Sequence, residues 1–339
     1  MKVHITNVYG AINIGAKAQN AASQIAKKDL QYNELGIYHY PVKSDTPEML
    51  RARIDGILAS VGMGDVVIIQ SPTWNDFIFD ERLMQSLNAY GGLKKVVFIH
   101  DVLPFMHEEW NPLLKRYIDF YNQADLIIAP SHAMIERLRL AGMTIEKVII
   151  QRMWDYVASV DSLIKPQFKK VINFAGNPNV DPKFAFIKEW DYPNVQLAVT
   201  VDNGEWAQGK NIRFLGWFND DNLLVNELRK SGGFGLLWSE DTYWREYMKI
   251  NAAYKLSTYL AAGIPVIVPK GIAQSDMIVR KNLGFFVDSL DEAVEQVEGM
   301  GEEQYRQMVD GVERFANLLR DGYFTKKALT DAVFKLFSD

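Results

Sequence analysis

The sequence predicts an α/β protein built from two domains, each organised around a parallel sheet. A chain of 339 residues is too long for one ordinary core and fits two domains of roughly 150 residues each. Short β-branched runs alternate with amphipathic segments in both halves, as in right-handed βαβ units. A mixed polar stretch, Trp154–Lys170, interrupts the alternation and is typical of a linker.

We therefore expect one domain at residues 1–157 and a second at residues 158–320, followed by a C-terminal helical segment, 321–339, that can pack back on the first domain. In the first domain, the predicted strands are Val3–Thr6, Gly36–Tyr40, Val66–Gln70, Val96–His100, Leu126–Ala129 and Val148–Ile150. Ser131 is expected to cap a helix that carries Met134, Ile135 and Leu138 on one face.

The second domain repeats the pattern. Its predicted strands are Val171–Ala175, Val195–Val201, Ile212–Leu215, Gly235–Trp238, Val266–Val268 and Phe285–Val287. Its predicted helices are Leu223–Lys230, Asn251–Ala262, Leu290–Met300 and Glu303–Leu319, and a last helix, Lys326–Phe337, follows a break at Asp321-Gly322. Two such sheets in tandem predict a central cleft faced by the carboxyl ends of both sets of strands, so functional residues are expected directly after strands.

Composition excludes several functional classes. The formal net charge of −5 argues against general nucleic-acid binding, which needs a concentrated basic surface. The absence of cysteine excludes disulfides, thiolate metal sites and cysteine nucleophiles. The N-terminal residues read as a strand and not as a signal peptide, and no run of about 18 apolar residues predicts a transmembrane segment. We expect a cytoplasmic protein.

The segment Tyr247–Pro269 is the strongest candidate for a diphosphate site. Asn251 is a plausible N-cap, and the N–H groups of the turn that follows would point towards an anion. Lys249 lies just before this cap, Lys255 lies about one turn inside the helix, and Tyr254 offers a ring and a hydroxyl. An amphipathic helix with two solvated lysines would have a similar sequence, so the local pattern leaves both interpretations open.

A glycine-containing loop, Asn7–Asn20, follows the first strand. It is not a P-loop, because Gly15 is followed by Ala16 and Lys17 where that motif has Lys and then Ser or Thr. The dinucleotide-binding spacing is also absent. We expect Asn13 and Gly15 to line the cleft near the donor, although a tight turn that needs glycine would look the same.

Polar and aromatic residues also follow the third and fourth strands. Trp74 and Asn75 together suit a sugar, one offering an apolar face and the other a hydrogen-bonding amide, although a packing role for Trp74 remains open. Asp101 is a candidate general base at the end of a strand, and His100 can orient it or act in its place.

Metal binding is not indicated by the sequence. The acidic and histidine residues from His100 to Glu108 match no known ligand spacing. No Asp-x-Asp motif is present, so a divalent ion that would bind the phosphates of a substrate is not indicated. We therefore expect no metal and no cofactor.

In the second domain, the turn after Phe174 contains Gly176 and Asn177 and can bring backbone amides close to a phosphate or a sugar. Trp217 follows another strand and can stack on a base. Each could also belong to an ordinary loop, but all of them lie at the same predicted edge.

The chain resembles glucosyltransferases of streptococci and lactobacilli that extend O-linked glycans on serine-rich-repeat adhesins before accessory Sec export, which have the GT-B architecture of two Rossmann-like domains. The resemblance is carried by Met1–Gly10, Gly64–Asn75, Val96–Pro104, Phe174–Pro178, Gly233–Leu237 and Lys249–Gly271. It implies a UDP-sugar donor, with UDP-glucose expected, and an acceptor that is N-acetylglucosamine already linked to Ser or Thr. It also implies a metal-independent homotetramer whose nucleotide contacts Gly176, Asn177 and Lys249.

The sequence departs from this family at two places. Ala11–Ala16 stands where members have a Ser/Thr-rich loop, and Asn179-Val180 stands where members tend to carry Arg. Thr258 and Ile250 occupy the positions at which many retaining GT-B enzymes carry two glutamates, which argues against that mechanism. The alternatives are a UDP-sugar epimerase of the same fold, which needs no acceptor, and a non-catalytic chaperone subunit that holds glycans through Trp74 and Trp110.

Overall fold

The computed structural model describes residues 1–11 and 14–338 of the chain. The chain forms two compact units: Met1–Asp155 together with Gly322–Asp339, and Tyr156–Asp321. Each unit contains one six-stranded parallel sheet, which confirms the predicted α/β class with two parallel-sheet domains.

The sheet of the first unit has the order β2-β1-β3-β4-β5-β6. Its strands are β1 (Val3–Tyr9), β2 (Asn33–Tyr38), β3 (Val66–Ser71), β4 (Lys94–Ile99), β5 (Leu126–Ala129) and β6 (Val148–Ile150). Every residue of β3 and β5 is buried. These strands are almost continuously aliphatic because helices cover both faces of a parallel sheet.

Side chains cap the starts of several helices between these strands. They are α1 (Ile14–Asp29), α2 (Pro47–Ile57), α3 (Phe77–Leu87), α4 (Leu103–Met106), α5 (Leu114–Tyr121) and α6 (His132–Leu140). The side chains of Thr46, Asp76 and Ser131 accept backbone N–H groups at the starts of α2, α3 and α6. The predicted cap at Ser131 is therefore confirmed.

The sheet of the second unit has the order β12-β11-β10-β7-β8-β9. Its strands are β7 (Val171–Phe174), β8 (Gln196–Val199), β9 (Ile212–Phe214), β10 (Phe234–Leu236), β11 (Val266–Pro269) and β12 (Gly284–Val287). A buried cluster that includes Phe174, Trp190, Phe234 and Tyr305 packs around it.

The helices of the second unit differ from the prediction at one functionally important place. They are α7 (Asp221–Ser231), α8 (Thr242–Met248), α9 (Tyr254–Ala262), α10 (Ser275–Lys281), α11 (Leu290–Gly299) and α12 (Glu302–Arg320). The predicted helix Asn251–Ala262 begins three residues later, at Tyr254, and α8 precedes it. Short 3-10 helices occur at Val42–Ser44, Glu108–Leu113, Pro182–Glu189 and Glu205–Ala207.

The last helix, α13 (Tyr323–Ser338), belongs to the first unit and contacts α1, β5 and β6. The buried Asp155 carboxylate accepts the backbone N–H groups of Phe324 at 3.2 Å and Thr325 at 2.6 Å. An acidic group at a helix N-terminus satisfies N–H groups that have no partner within the helix. Within the described ranges, no helix has the length and apolar character needed to cross a membrane.

Candidate functional site

The turn after β7 is built around a glycine that no other residue can replace without movement. A Cβ atom at Gly176 would lie 2.4 Å from Cε1 of Phe174 and 3.1 Å from Cε2 of Phe184. The side-chain oxygen of Asn177 accepts the N–H of Asn179 at 2.9 Å, which closes a local turn. Gly176 therefore lies against the rings of Phe174 and Phe184, and Asn177 closes the turn that follows it.

The start of α9 corrects the predicted role of Asn251 as an N-cap. Ala253 is the N-cap residue, and no side chain caps the helix. The amide of Asn251 instead donates to the Tyr247 hydroxyl at 3.0 Å, and its oxygen accepts the N–H of Ala252 at 2.8 Å. Asn251 thus ties the end of α8 to the connection before α9.

Lys249 ends α8 as its C-cap residue. Its ammonium lies 2.5 Å from a carboxylate oxygen of Glu246, and its side chain is 48% exposed. An ion pair with this much exposure contributes little to stability, so Lys249 can exchange Glu246 for another anion at low cost.

Lys255, in the first turn of α9, has a very different environment. Its ammonium lies 3.9 Å from the ring centroid of Phe184 and 5.1 Å from that of Phe174. Within the described residues it has no hydrogen-bond partner and no ion pair. Burial, and then the nearby charge of Lys183, lowers the pKa of Lys255 to about 7. A buried lysine without a direct ion pair is a candidate for ligand binding.

A second lysine, Lys183, lies over the Phe184 ring. No sequence pattern predicted it as a site residue. Its ammonium lies 2.7 Å from a carboxylate oxygen of Asp181, 4.1 Å from the Trp244 ring centroid and 5.1 Å from that of Phe184. The Phe184 ring is therefore approached by two lysine ammonium groups, one of which is paired with the Asp181 carboxylate. The net positive charge suits an anionic ligand.

Trp217 and Tyr254 complete the residues predicted in this unit. Trp217 follows β9, and 57% of its surface is exposed. Its indole N–H donates to Asn219 at 3.0 Å, and its backbone N–H donates to Asp202 at 2.9 Å. Tyr254 packs on Tyr156 with ring centroids 5.3 Å apart. Trp217 thus has a fixed backbone and an accessible ring, as base stacking would require.

In the first unit, a buried hydrogen-bond network holds His100 in one protonation state. The Gln70 amide nitrogen donates to the carbonyl oxygens of Thr6 at 2.6 Å and Gln19 at 3.1 Å, so its oxygen must accept from His100 Nε2, 2.8 Å away. The imidazole stacks on Trp154 at 4.4 Å. Burial lowers the pKa of His100 to about 3, so the ring is neutral at pH 7 and is a weak proton acceptor.

Asp101 follows β4 directly and is half-buried. Burial raises the pKa of the Tyr121 hydroxyl, and the Asp101 carboxylate is close enough to raise it further. Because His100 is neutral and weakly basic, Asp101 is the better candidate for the general base. Both catalytic roles remain predictions.

Gly15, predicted to lie near the donor, contacts Trp74, predicted to bind a sugar. A Cβ atom at Gly15 would lie 2.0 Å from Cζ2 of Trp74, so the indole occupies space that only glycine leaves open. The side-chain oxygen of Asn75 accepts the backbone N–H of Tyr40 at 3.1 Å. Asn13 lies outside the described residues. Across residues 1–11 and 14–338, no three His, Asp or Glu side chains cluster in a way that could hold a metal ion.

This architecture defines the class. The structure of HepE from Anabaena in complex with UDP-glucose is similar over 99% of this chain and 100% of that one, with a TM-score of 0.68 at 13% identity. At that identity the likeness shows the fold, which is the GT-B fold of glycosyltransferases.

The family follows from the sequence matches. Residues 2–153 match the family described as "Glucosyltransferase 3-like, N-terminal domain", and residues 172–332 match its C-terminal domain. Glucosyltransferase 3 of Streptococcus gordonii is 43% identical and that of Streptococcus parasanguinis 41% identical, each over 100% of both chains. The chain belongs to the Glucosyltransferase 3-like family, and it is a hexosyltransferase.

Proposed function

We propose that this enzyme transfers glucose from UDP-glucose to N-acetylglucosamine already O-linked to Ser or Thr of a serine-rich-repeat adhesin, in the cytoplasm, as a homotetramer and without a metal ion. The full-length similarity to two proteins named Glucosyltransferase 3 supports the reaction class. The fold shared with HepE, which has been solved with UDP-glucose, supports the donor.

The observation that carries the donor assignment is the unpaired ammonium of Lys255. It lies over the rings of Phe174 and Phe184, against which the Gly176 turn also packs. A diphosphate placed there would provide the missing counter-charge, and charge-assisted hydrogen bonds to phosphate are among the strongest available to a protein. Lys183 would add a second positive charge beside it.

In the proposed reaction, the acceptor hydroxyl oxygen forms a bond to the anomeric carbon of glucose. The bond from that carbon to the diphosphate oxygen breaks, and UDP leaves with the electron pair. Asp101 accepts the proton of the acceptor hydroxyl. Lys255 and Lys183 stabilise the negative charge that develops on UDP, which is where preorganised electrostatics contributes most.

The test is incubation of the purified enzyme with UDP-glucose, with and without a peptide that carries N-acetylglucosamine on Ser. We expect the mass of one hexose to be added to the glycopeptide and an equal amount of UDP to be released. A changed UDP-sugar without acceptor would identify an epimerase instead. Glycopeptide binding without any turnover would identify a glycan-binding subunit.

A further inference from the structure

A buried tyrosine of α9 is hydrogen-bonded to the turn that follows β7. The Tyr259 side chain has no exposed surface, and its hydroxyl oxygen accepts the backbone N–H of Ala175 at 2.7 Å. Ala175 is the residue directly after β7 and the first residue of the turn that contains Gly176. The hydroxyl therefore ties the start of this turn to α9.

A glycine in β10 makes room for the Tyr259 ring. A Cβ atom at Gly235 would lie 2.2 Å from Cγ and 2.6 Å from Cβ of Tyr259, so this side chain lies directly on the backbone of β10. The strand β10 is the neighbour of β7 in the sheet, and Gly235 is paired with Asn173. A ring packed this closely has little freedom to move, so its hydroxyl is held at the carboxyl end of β7.

The same face of α9 carries Lys255. Tyr259 is four residues after Lys255 in this helix, so the two side chains are neighbours on its surface. The Lys255 ammonium lies 5.1 Å from the ring centroid of Phe174, the residue before Ala175. The turn and the lysine thus lie beside one ring, and the Tyr259 hydroxyl forms a direct hydrogen bond between their two elements.

The turn offers two backbone donors to an anion. Within the described residues, the N–H groups of Gly176 and Asn177 have no hydrogen-bond acceptor. Successive N–H groups of this kind form anion-binding concavities in proteins. They can bind the same anion as Lys255 only if the turn and α9 keep a fixed separation.

We propose that Tyr259 is a positioning residue for the diphosphate of the donor: its hydroxyl holds the turn at a fixed distance from Lys255, so that backbone N–H groups and the ammonium bind one diphosphate together. Tyr259 does not touch the nucleotide. This inference rests on the proposed donor, and it predicts that loss of the hydroxyl weakens contacts to the diphosphate and not those to the nucleoside.

Tyr305 provides a matched control for substitution by phenylalanine. Its side chain is also buried, and its hydroxyl donates to the carbonyl oxygen of Gly233 at 2.9 Å. Gly233 directly precedes β10, so this hydrogen bond lies at the amino end of the strand, opposite the edge that carries the turn. Tyr305→Phe and Tyr259→Phe each remove one buried hydrogen bond to the backbone and keep the ring.

The first test is hydrogen exchange, which needs no ligand. Mass spectrometry of the full-length protein follows the segment that spans β7 and the turn. In Tyr259→Phe the Ala175 N–H loses its acceptor, so this segment should exchange about 3- to 10-fold faster than in the wild type. Tyr305→Phe should leave its exchange unchanged. Equal acceleration in both variants, or none in Tyr259→Phe, would overturn the proposal.

The second test compares UDP with uridine by calorimetry. We expect Tyr259→Phe to raise the Kd for UDP by about 3- to 10-fold and to leave the Kd for uridine unchanged. A general loosening of the unit would raise both values, and this result would contradict a positioning role. Tyr305→Phe should change neither Kd, while its melting temperature shows what the loss of a buried hydrogen bond does to stability alone.

The third test asks whether Tyr259 acts through its separation from Lys255. In the Lys255→Met background, Tyr259→Phe should change the Kd for UDP by less than about twofold, because the charge that the turn must face is gone. An equal fold-change in both backgrounds would contradict the coupling. If the wild-type enzyme binds UDP no more tightly than uridine, the proposed donor fails. A failure of Tyr259 alone is different, since UDP then binds tightly and Tyr259→Phe has no effect.

Discussion

The carboxyl edges of the two sheets differ in charge. In the first unit, the buried residues Gln70 and His100 form a hydrogen-bonded network in which the imidazole is neutral. In the second unit, the ammonium groups of Lys255 and Lys183 lie over the Phe184 ring, and the Asp181 carboxylate pairs with Lys183. The first edge, where the Asp101 carboxylate lies beside this neutral network, suits an uncharged ligand such as a sugar, and the second suits an anion such as a diphosphate.

In the proposed function, the two similar sheets divide one reaction between them. A neutral network remains neutral because burial disfavours a charged imidazole. A buried ammonium without an ion pair has an unfavourable free energy until an anion binds. Because the fold has already removed this ammonium from water, ligand binding does not have to desolvate it again. The following predictions test whether charge separates the two edges in this way.

The largest effect is expected at the first unit. Asp101→Asn keeps the size of the side chain and removes the base, so the transfer rate should fall by about 10²–10⁴-fold. UDP affinity should stay near the wild-type value, because the lysines proposed to bind the diphosphate lie in the second unit. Initial rates with the glycopeptide and calorimetry with UDP measure the two quantities.

Asp101 could instead have only a structural role. In that case the variant would have a lower melting temperature and a near-normal rate, and the same preparation reveals this. His100→Gln would be tested next, since a buried neutral side chain of similar hydrogen-bonding capacity should preserve a positioning role but not proton transfer.

The second largest effect is expected at Lys255. Lys255→Met removes the charge and keeps most of the apolar stem, so the Kd for UDP should rise by about 10- to 150-fold, equivalent to roughly 1.5–3 kcal/mol. Lys249→Met is the matched control in the same segment. Because Lys249 is half-exposed and already paired with Glu246, its loss should raise the Kd less. The reverse order by calorimetry would move the diphosphate towards Lys249.

Sequence patterns predicted both sheets because aliphatic runs at regular intervals depend only on local burial. The predicted start of α9 was wrong because Asn251 has the residue type of a good N-cap. Its actual bonds to Tyr247 and Ala252 depend on the preceding helix, which the local sequence pattern does not reveal. The sequence could not indicate Lys183 as a binding-site residue for a similar reason. Its significance comes from a ring shared with Lys255, which is distant in sequence.

A smaller effect is expected in the pH dependence of UDP binding. The pKa of Lys255 is lowered to about 7, so most of the free protein carries a neutral Lys255 at pH 8. A bound diphosphate favours the charged form and raises this pKa, so binding takes up a proton. UDP affinity should therefore fall between pH 7 and pH 9, by at most about tenfold per pH unit. UDP itself is fully ionised in this range, since its last phosphate pKa is about 6.

The control is Lys255→Met, in which the pH dependence should disappear. Calorimetry at pH 8 in two buffers of different ionisation enthalpy gives the number of protons taken up, and we expect close to one for the wild type. Proton uptake that is unchanged in Lys255→Met would assign the titration to another group.

The smallest effect concerns the metal. If lysines and backbone N–H groups hold the diphosphate, then UDP at about 100 times its Kd should stabilise the protein by roughly 2.7 kcal/mol, which raises the melting temperature by several degrees. EDTA should leave this increase unchanged, because no ion contributes to the site. Stabilisation that appears only with Mg²⁺ or Mn²⁺ would mean that an ion neutralises the diphosphate. It would contradict the proposal that lysines of the second unit do so. Lys255→Met strengthens the test: added metal should not restore its melting-temperature increase, since the missing charge belongs to the protein and not to a cation in solution.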